Sequence, residues 1–258
     1  MNKSSYIPVI WPENNSAKLE NVFAITTQVN GGVSKGDYSE YNLALHVGDD
    51  PEAVKANREK LVEDLQLPSE PVWLDQVHSN KVICADEFAL ADSAAKVLPV
   101  QADASISGAK GVVCAVLTAD CLPVFFCNSE GTEVAVAHAG WRGLHDGILS
   151  NTLAVMKSAV DDILVNLGPA IGAKAFEVGT EVYDAFVDKN KINSSAFVST
   201  DKDHYLCDIY ELARIELSAI GVAGISGGGY CTFNERHRFY SYRRHKNTGR
   251  MASLIWVE

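Results

Sequence analysis

The chain has 258 residues, is 47% hydrophobic and 21% charged, and carries a formal net charge of −11. That composition belongs to a globular protein with ample material for a large core. So acidic a chain repels a phosphate backbone or an anionic bilayer, which argues against a nucleic-acid or membrane-surface binder.

In chain order, the N-terminal stretch MNKSSYIPVIWPENN lacks the apolar core of a signal peptide, because Pro8 interrupts it. A strand is expected over 22–28, followed by a long loop over 30–49. A helix over 51–66 opens well: Pro51 follows Asp49 and Asp50, and Val54, Leu61, Val62 and Leu65 share one face. Strands over 72–77 and 81–84, a loop over 85–100 and a strand over 101–106 come next. The most apolar segment, VVCAVLTADCLPVFFC, carries Asp120 and Pro123 and is shorter than the ~20 residues of a membrane span. It reads as two buried strands, 112–118 and 122–127, with another at 132–138.

A helix is expected over 143–159, with Leu149, Leu153, Met156 and Val160 at helical spacing and Asp146 in its first turn. After a strand at 162–167, a short helix at 180–188 leads into KNKINSSAFVSTDKD, polar enough for a mobile loop over 189–204. The helix over 208–220 begins with Asp208 and Glu211 in a capping-box-like pair and buries Ile209, Leu212, Leu217 and Ile220. Strands over 223–227, 238–242 and 252–257 complete the chain. Strands outnumber helices and several follow one another directly. The expected fold is therefore α+β: mixed β-sheets in a sandwich-like core with flanking helices, one compact domain over 1–258.

The six cysteines (Cys84, Cys114, Cys121, Cys127, Cys207, Cys231) include no CxxC pair. With no secretion signal they read as reduced thiols in a soluble, cytoplasmic protein. HExxH and the HxE…PCxxC pattern of zinc deaminases are also absent, so a metal site must draw on distant positions.

Three residues share one context, a strand end followed by a turn: His78 closes VWLDQVH, His138 closes VAVAH, and Cys121 sits in LTADCLPV. Two imidazoles and a thiolate suit zinc, and three protein ligands leave a fourth position open, the catalytic arrangement. Against that stand a hydrogen-bonded core histidine, a cysteine acting as a small hydrophobe, and a metal-free pair with Cys121 as nucleophile and His138 or His78 as base. Spacing alone does not separate these.

Around these residues the chain closely resembles the YfiH-like proteins, also called the polyphenol-oxidase or laccase-domain family. The matching blocks run in order: GGVSKGDYSEYNLALHVGDD (31–50), LDQVHSNKV (74–82), QADASIS (101–107), LTADCLPV (117–124), AHAGWRG (137–143), GPAIG (168–172), YCTF (230–233) and FYSYRRHKNTGRMASLIWV (239–257). One departure is YNLAL at 41–45, where relatives read closer to LNLG. The resemblance implies mixed sheets flanked by helices and a zinc site on His78, Cys121 and His138. It also implies activity on purine nucleosides: phosphorolysis of adenosine, inosine, guanosine and methylthioadenosine, and deamination of adenosine. The partners implied are a nucleoside and phosphate, with no nucleic acid and no membrane. A four-copper oxidase does not fit, since it needs more than seven histidines, mostly in HxH pairs, and this chain has seven and no such pair. Copper at the same two-nitrogen, one-sulfur set is still allowed by its affinity for such donors.

Deamination would use the metal to activate water, whereas phosphorolysis needs an anion site. AHAGWRGLHDG offers one: Gly140 and Gly143 allow close approach of backbone N–H groups, and Arg142 adds charge, although the same residues also suit a plain strand-to-helix turn. The stretch RHRFYSYRRHKNTGR gathers Arg236, Arg238, Arg243, Arg244, Lys246 and Arg250. Charge runs are usually solvated faces, but the family block SYRR makes Arg243 or Arg244 a candidate phosphate or substrate contact. Tyr242 or Phe239 are candidates to stack on a purine, and Ser34, Asn42 and His46 to line the pocket. No general acid or base stands out: Asp75, three residues before His78, is a candidate partner for it, and Asp120 points away from Cys121 if that stretch is extended.

Three functions follow. The first is a zinc-dependent purine nucleoside phosphorylase and adenosine deaminase. The second is a metal-free Cys–His hydrolase or amidase acting on an amide or peptidoglycan precursor. The third is a non-catalytic binding domain with a structural metal.

Overall fold

The computed structural model describes residues 5–12, 19–89, 99–222 and 224–258. The chain begins with β1 (Tyr6–Pro8) and β2 (Val22–Thr27), then α1 (Pro51–Leu65), β3 (Leu74–Asp75), β4 (Val82–Cys84) and α2 (Ala85–Ala89). Six strands and two helices follow: β5 (Val100–Gln101), β6 (Ala104–Ser107), β7 (Cys114–Thr118), β8 (Leu122–Asn128), β9 (Val134–Ala139), α3 (Trp141–His145), α4 (Ile148–Val155) and β10 (Ile163–Leu167). The last third holds β11 (Glu177–Gly179), α5 (Thr180–Lys189), β12 (Phe197–Ser199), β13 (His204–Cys207), α6 (Ile209–Ile220), β14 (Gly224–Gly227) and β15 (Met251–Val257).

Two sheets carry the architecture. An antiparallel four-stranded sheet runs β1-β2-β15-β7, and a mixed six-stranded sheet runs β14-β10-β8-β9-β6-β4. They pack face to face, and each is covered on its outer face. Period-two alternation divides the side chains between layers. In β8, Phe125 and Cys127 enter the space between the sheets, while Val124 and Phe126 meet the helices α3 to α6. In β7 and β15, Val116 and Ile255 face inward and Leu117, Leu254 and Trp256 pack towards Leu61 of α1. Burial on both faces explains why LPVFFCN, VAVAHA and MASLIWV are continuously apolar rather than alternating. This is the α+β sandwich with flanking helices that the element order predicts. No helix among the described residues is long and apolar enough to cross a membrane.

Several local expectations need correction. The helix over 143–159 is two helices, α3 and α4, because Gly147 at φ 88° takes a left-handed turn between them. The strand over 238–242 is a series of turns. Arg238 and Phe239 donate their N–H groups back to the Glu235 carbonyl, and the Arg244 guanidinium takes the carbonyls of Thr232, Phe233 and Phe239, so no ladder partner is left for them. The region 189–204 is ordered: a 3₁₀ turn at Lys191–Ala196 leads into β12, and Phe197, Tyr183 and Tyr205 pack ring on ring. Part of the loop at 85–100 is helix α2, and 90–98 lies outside the described residues, as does residue 223 at the start of an expected strand. The strand over 101–106 breaks at Ala102–Asp103, a break that matters for the site below.

The start of α6 follows the sequence closely. Asp208 accepts from the backbone N–H groups of Tyr210 and Glu211 at 3.0 and 3.1 Å. Asp208→Ala is therefore expected to lower unfolding free energy in urea by about 1 kcal/mol, with the fold retained by circular dichroism.

Candidate active site

β7 belongs to the four-stranded sheet and β8 to the six-stranded one, so the turn Ala119–Cys121 is where the chain crosses between layers. Asp120 turns it at φ 90°, an uncommon conformation for a residue with a side chain. Cys121 follows at the mouth of β8. His138 lies near the end of β9, in register with Pro123, which brings the histidine beside the cysteine. His78 arrives on the loop after β3, also left-handed, at φ 60°.

The ligating atoms of His78, Cys121 and His138 lie within 4.8 Å of one another. Cys121 Sγ is 3.9 Å from His78 Nε2, and the two imidazole rings meet edge-on with centroids 4.8 Å apart. His138 is buried, Cys121 half-buried and His78 exposed, so the cluster opens to solvent on the His78 side. Tetrahedral ligands on ~2.0–2.3 Å bonds stand roughly 3.4–3.6 Å apart, so a small contraction would seat a metal ion on this donor set.

A carboxylate missed in the sequence organises the cluster. Asp103 is fully buried and accepts from His138 Nδ1 at 2.8 Å. It also accepts from the backbone N–H groups of Val77, His78 and Ser79 at 3.3, 3.0 and 2.6 Å, and from Ser79 Oγ at 2.8 Å. A carboxylate only accepts, so Nδ1 carries a proton and Nε2 is the His138 nitrogen left to face the cluster. Burial pushes the Asp103 carboxyl up, but the bonds from His138 and Ser79 outweigh it and hold its pKa below the ordinary value. Burial likewise raises the Cys121 thiol, yet His138 and His78 bring it down to about 6. Burial lowers the His138 imidazole, and the Cys121 and Asp103 charges lift it to about 9. Cys121 is thus held as a thiolate, the form that binds metal.

Asp75, the candidate partner of His78, is exposed and instead accepts from Gln101 Nε2 at 3.1 Å. Proximity along one strand suggested it; the actual partner comes from the β5–β6 break. Asp120 does point away from Cys121. Its carboxylate accepts from Thr232 Oγ1 at 2.6 Å, Ser241 Oγ at 3.0 Å and Arg243 N at 2.6 Å, tying the C-terminal segment to the crossover turn.

The glycines of AHAGWRG make room for ligands. A Cβ on Gly140 would sit 2.9 Å from Cys121 Sγ and 3.0 Å from His78 Cδ2, and one on Gly143 would sit 2.9 Å from the Ser79 carbonyl. The Arg142 side chain is exposed and lies over the Trp141 ring at 4.4 Å. Arg244 spends its guanidinium on three carbonyls, and Arg243 donates to the Glu177 carbonyl over the Phe176 ring. Ser34 donates to Asp49 and accepts from Asn57, while Asn42, fully buried, bonds Ala44, Asp49 and the Arg250 backbone. These two shape the loop from within. His46 is exposed, with its pKa lowered by burial of the ring and by the Arg250 charge. Phe239 is fully buried, whereas Tyr242 is exposed.

A family described as "Multi-copper polyphenol oxidoreductase laccase" matches residues 23–258. The chain belongs to this laccase-domain family. It is 50% identical over 238 residues to a Pseudomonas aeruginosa protein named purine nucleoside phosphorylase PA4543, covering 92% of this chain and 94% of that one. It is 49% identical over 247 residues to the Escherichia coli purine nucleoside phosphorylase YfiH, covering 96% of each. The crystal structure of Neisseria meningitidis protein NMB0706 superposes with a TM-score of 0.90 at 47% identity, covering 98% of this chain and 99% of that chain. Bacillus licheniformis hypothetical protein YfiH superposes at 0.89 with 28% identity, covering 100% of this chain and 98% of that one. The laccase-domain fold and the YfiH resemblance inferred from the sequence blocks therefore hold along nearly the whole chain.

If Asp103 orients the ligands, Asp103→Asn will weaken metal binding about 10–100-fold in chelator competition, and Asp75→Asn will leave it unchanged. Gly140→Ala is expected to impair metal binding as well, because its methyl group would push Cys121 and His78 apart.

Proposed function

We propose that this protein is a purine nucleoside phosphorylase that works at the His78–Cys121–His138 cluster, with zinc as the metal and adenosine deamination as a second activity of the same site. The observation that carries this reading is a cluster of three ligands, two nitrogen and one sulfur, open to solvent on one side. Among the described residues no fourth histidine, cysteine or carboxylate joins it, which favours a catalytic site over a closed structural one. The names of the Pseudomonas and Escherichia relatives supply the reaction class. When bound, a metal here supplies positive charge and a water of lowered pKa.

Phosphorolysis breaks the bond between ribose C1′ and the purine nitrogen and forms a C1′–O bond to phosphate. The base leaves with the electron pair and takes up a proton. In this reading His78, Cys121 and His138 hold the metal, and Asp103 fixes the His138 tautomer. Exposed Tyr242 offers a ring face to the purine, and His46 and Arg142 are the substrate contacts whose side chains are exposed. Nucleoside and phosphate are the partners in this reading; the net charge of −11 speaks against nucleic acid or an anionic membrane, and a cytoplasmic location is part of the same proposal.

A second reading rests on one specific arrangement: Cys121 beside His78 at 3.9 Å, with His138 held by Asp103 at 2.8 Å, is also a nucleophile, base and orienting acid for a metal-free amidase.

Mildly purified protein is expected to carry about one zinc per chain and to release base from adenosine, inosine, guanosine or methylthioadenosine only when phosphate is present. Ammonia release from adenosine measures the second activity. Cys121→Ser should lose metal and about 100-fold or more of the activity. Full turnover in the metal-stripped protein would move the assignment to the cysteine hydrolase, and stoichiometric zinc with base release indifferent to phosphate would remove the phosphorylase.

A further inference from the structure

In the basic C-terminal stretch Arg236 is exposed to solvent, and among the other guanidiniums one is bonded differently from the rest. Arg244 is committed to three carbonyls, Arg243 to Glu177 and the Phe176 ring, and Arg238 to Glu235 and Gln28. Arg250 is half-buried, and only its Nη1 is engaged, by the carbonyls of its own turn, Thr248 at 2.8 Å and Gly249 at 3.0 Å. Among the described residues nothing accepts from its Nε or Nη2, and no carboxylate forms an ion pair with it. In a chain of net charge −11 an unpaired, half-buried guanidinium is costly unless it has a use.

Its position is set by the sheet. Met251 pairs with Thr118 in the β15–β7 ladder, so Arg250 stands beside Ala119, next to Asp120 and Cys121. The root is rigid: Arg250 N donates to Asn42 Oδ1 at 2.9 Å, and Asn42 is anchored to Asp49 at 2.9 Å. A Cβ on Gly249 would meet the Tyr240 ring at 2.7 Å, so that turn packs closely. The guanidinium lies near enough to Cys121 and Asp120 to feel both charges, and His46 feels Arg250 in turn. The ring of Tyr242 is 5.8 Å from Arg250 Cζ. Asp120 has its own three donors, which leaves Arg250 as the unsatisfied cation at this edge of the cluster.

We infer that Arg250 holds a tetrahedral oxyanion next to the His78–Cys121–His138 cluster, and that in the phosphorylase reading, on which this rests, the anion is the attacking phosphate. A guanidinium with two free N–H directions matches two oxygens of such an anion, which a lysine ammonium does not. The arrangement positions phosphate; it does not itself move protons.

The test follows inorganic phosphate by 31P line broadening on the metal-loaded protein, alongside steady-state kinetics. Wild-type protein should broaden the signal, with sulfate competing. Arg250→Gln should bind phosphate at least about tenfold more weakly, Arg250→Lys should fall between, and Arg236→Gln, an exposed cation elsewhere in the stretch, should match wild type. KM for phosphate should rise about tenfold with KM for nucleoside within about twofold, a split that general loss of structure does not produce. Arg250→Lys keeps the question open to measurement should the glutamine variant lose metal or fold. Unchanged phosphate binding in folded, metal-loaded Arg250 variants, or no binding by wild type, overturns the inference. Phosphate-dependent base release with unaltered KM for phosphate in those variants leaves the phosphorylase standing and removes only Arg250. Broadening that depends on Arg250, in a protein whose base release ignores phosphate, keeps the anion site and removes the phosphorylase.

Discussion

The buried carboxylate of Asp103 is the point on which the site depends. Five donors converge on it: one imidazole N–H, three consecutive backbone N–H groups and one hydroxyl. Its main chain joins in, with its N–H bonded to the Lys81 carbonyl and its carbonyl taking the His138 N–H at 2.7 Å. A buried charge is expensive unless its lone pairs are satisfied, and here they are satisfied by the groups that must be placed. The turn at His78 owes its left-handed backbone to these bonds, since three N–H groups in a row point at one carboxylate. His138 owes its tautomer to them. Removing the carboxylate would orphan all five donors at once.

A second carboxylate does the corresponding work on the other side. Asp120 sits at the layer crossover in a left-handed conformation, which turns its side chain away from Cys121 and towards the C-terminal segment. The bonds from Thr232, Ser241 and Arg243 N then fasten that segment over the crossover. Two of the three described non-glycine residues with positive φ are His78 and Asp120, the third being the C-cap of α1. Strained backbone therefore coincides with the cluster, held by hydrogen bonds on both flanks. Because His138 lies in β9 and Cys121 immediately precedes β8, two adjacent and fully buried strands, the cluster is held by the central sheet.

Much of this was legible in the sequence, for identifiable reasons. Strands buried on both faces announce themselves as unbroken apolar runs, and the helices at 51–65 and 209–220 carry their caps in Asp50 and Asp208. The three ligands were visible because each closes or follows an apolar run. Asp103 was not, because QADASIS reads as one strand and nothing in it signals the break at Ala102–Asp103. Asp75 looked better by sequence distance, but the carboxylate that matters is 25 residues from His78 and 35 from His138, brought in by sheet pairing. A polar composition hid the order of 189–204, where Phe197 meets the ring of Tyr183 edge-on and Tyr183 in turn stacks on Tyr205, contacts made only after folding. The turns at 238–242 carry strand-like aromatics but are held by Arg244, a long-range use of a side chain that periodicity does not register.

The family's descriptive name points to multicopper chemistry, and the donors of this chain bear on it directly. All seven histidines lie among the described residues. His145 pairs with Asp146, His204 with Asp201, and His245 bonds the Asn247 carbonyl, all at exposed or half-exposed positions and none of them in the cluster. A multinuclear copper centre needs several imidazoles facing one cavity, whereas only two of the seven converge here, joined by one thiolate. That set is sized for a single ion, and its two imidazoles are fixed by a carboxylate and a strained turn rather than by further metals. The chemistry open to such a centre is polarisation of a bound group or of water. An unpaired arginine at its edge adds a place for an oxyanion. In the proposed reading this donor set serves bond exchange at a polarised substrate, and two converging imidazoles are too few for electron transfer through a copper cluster.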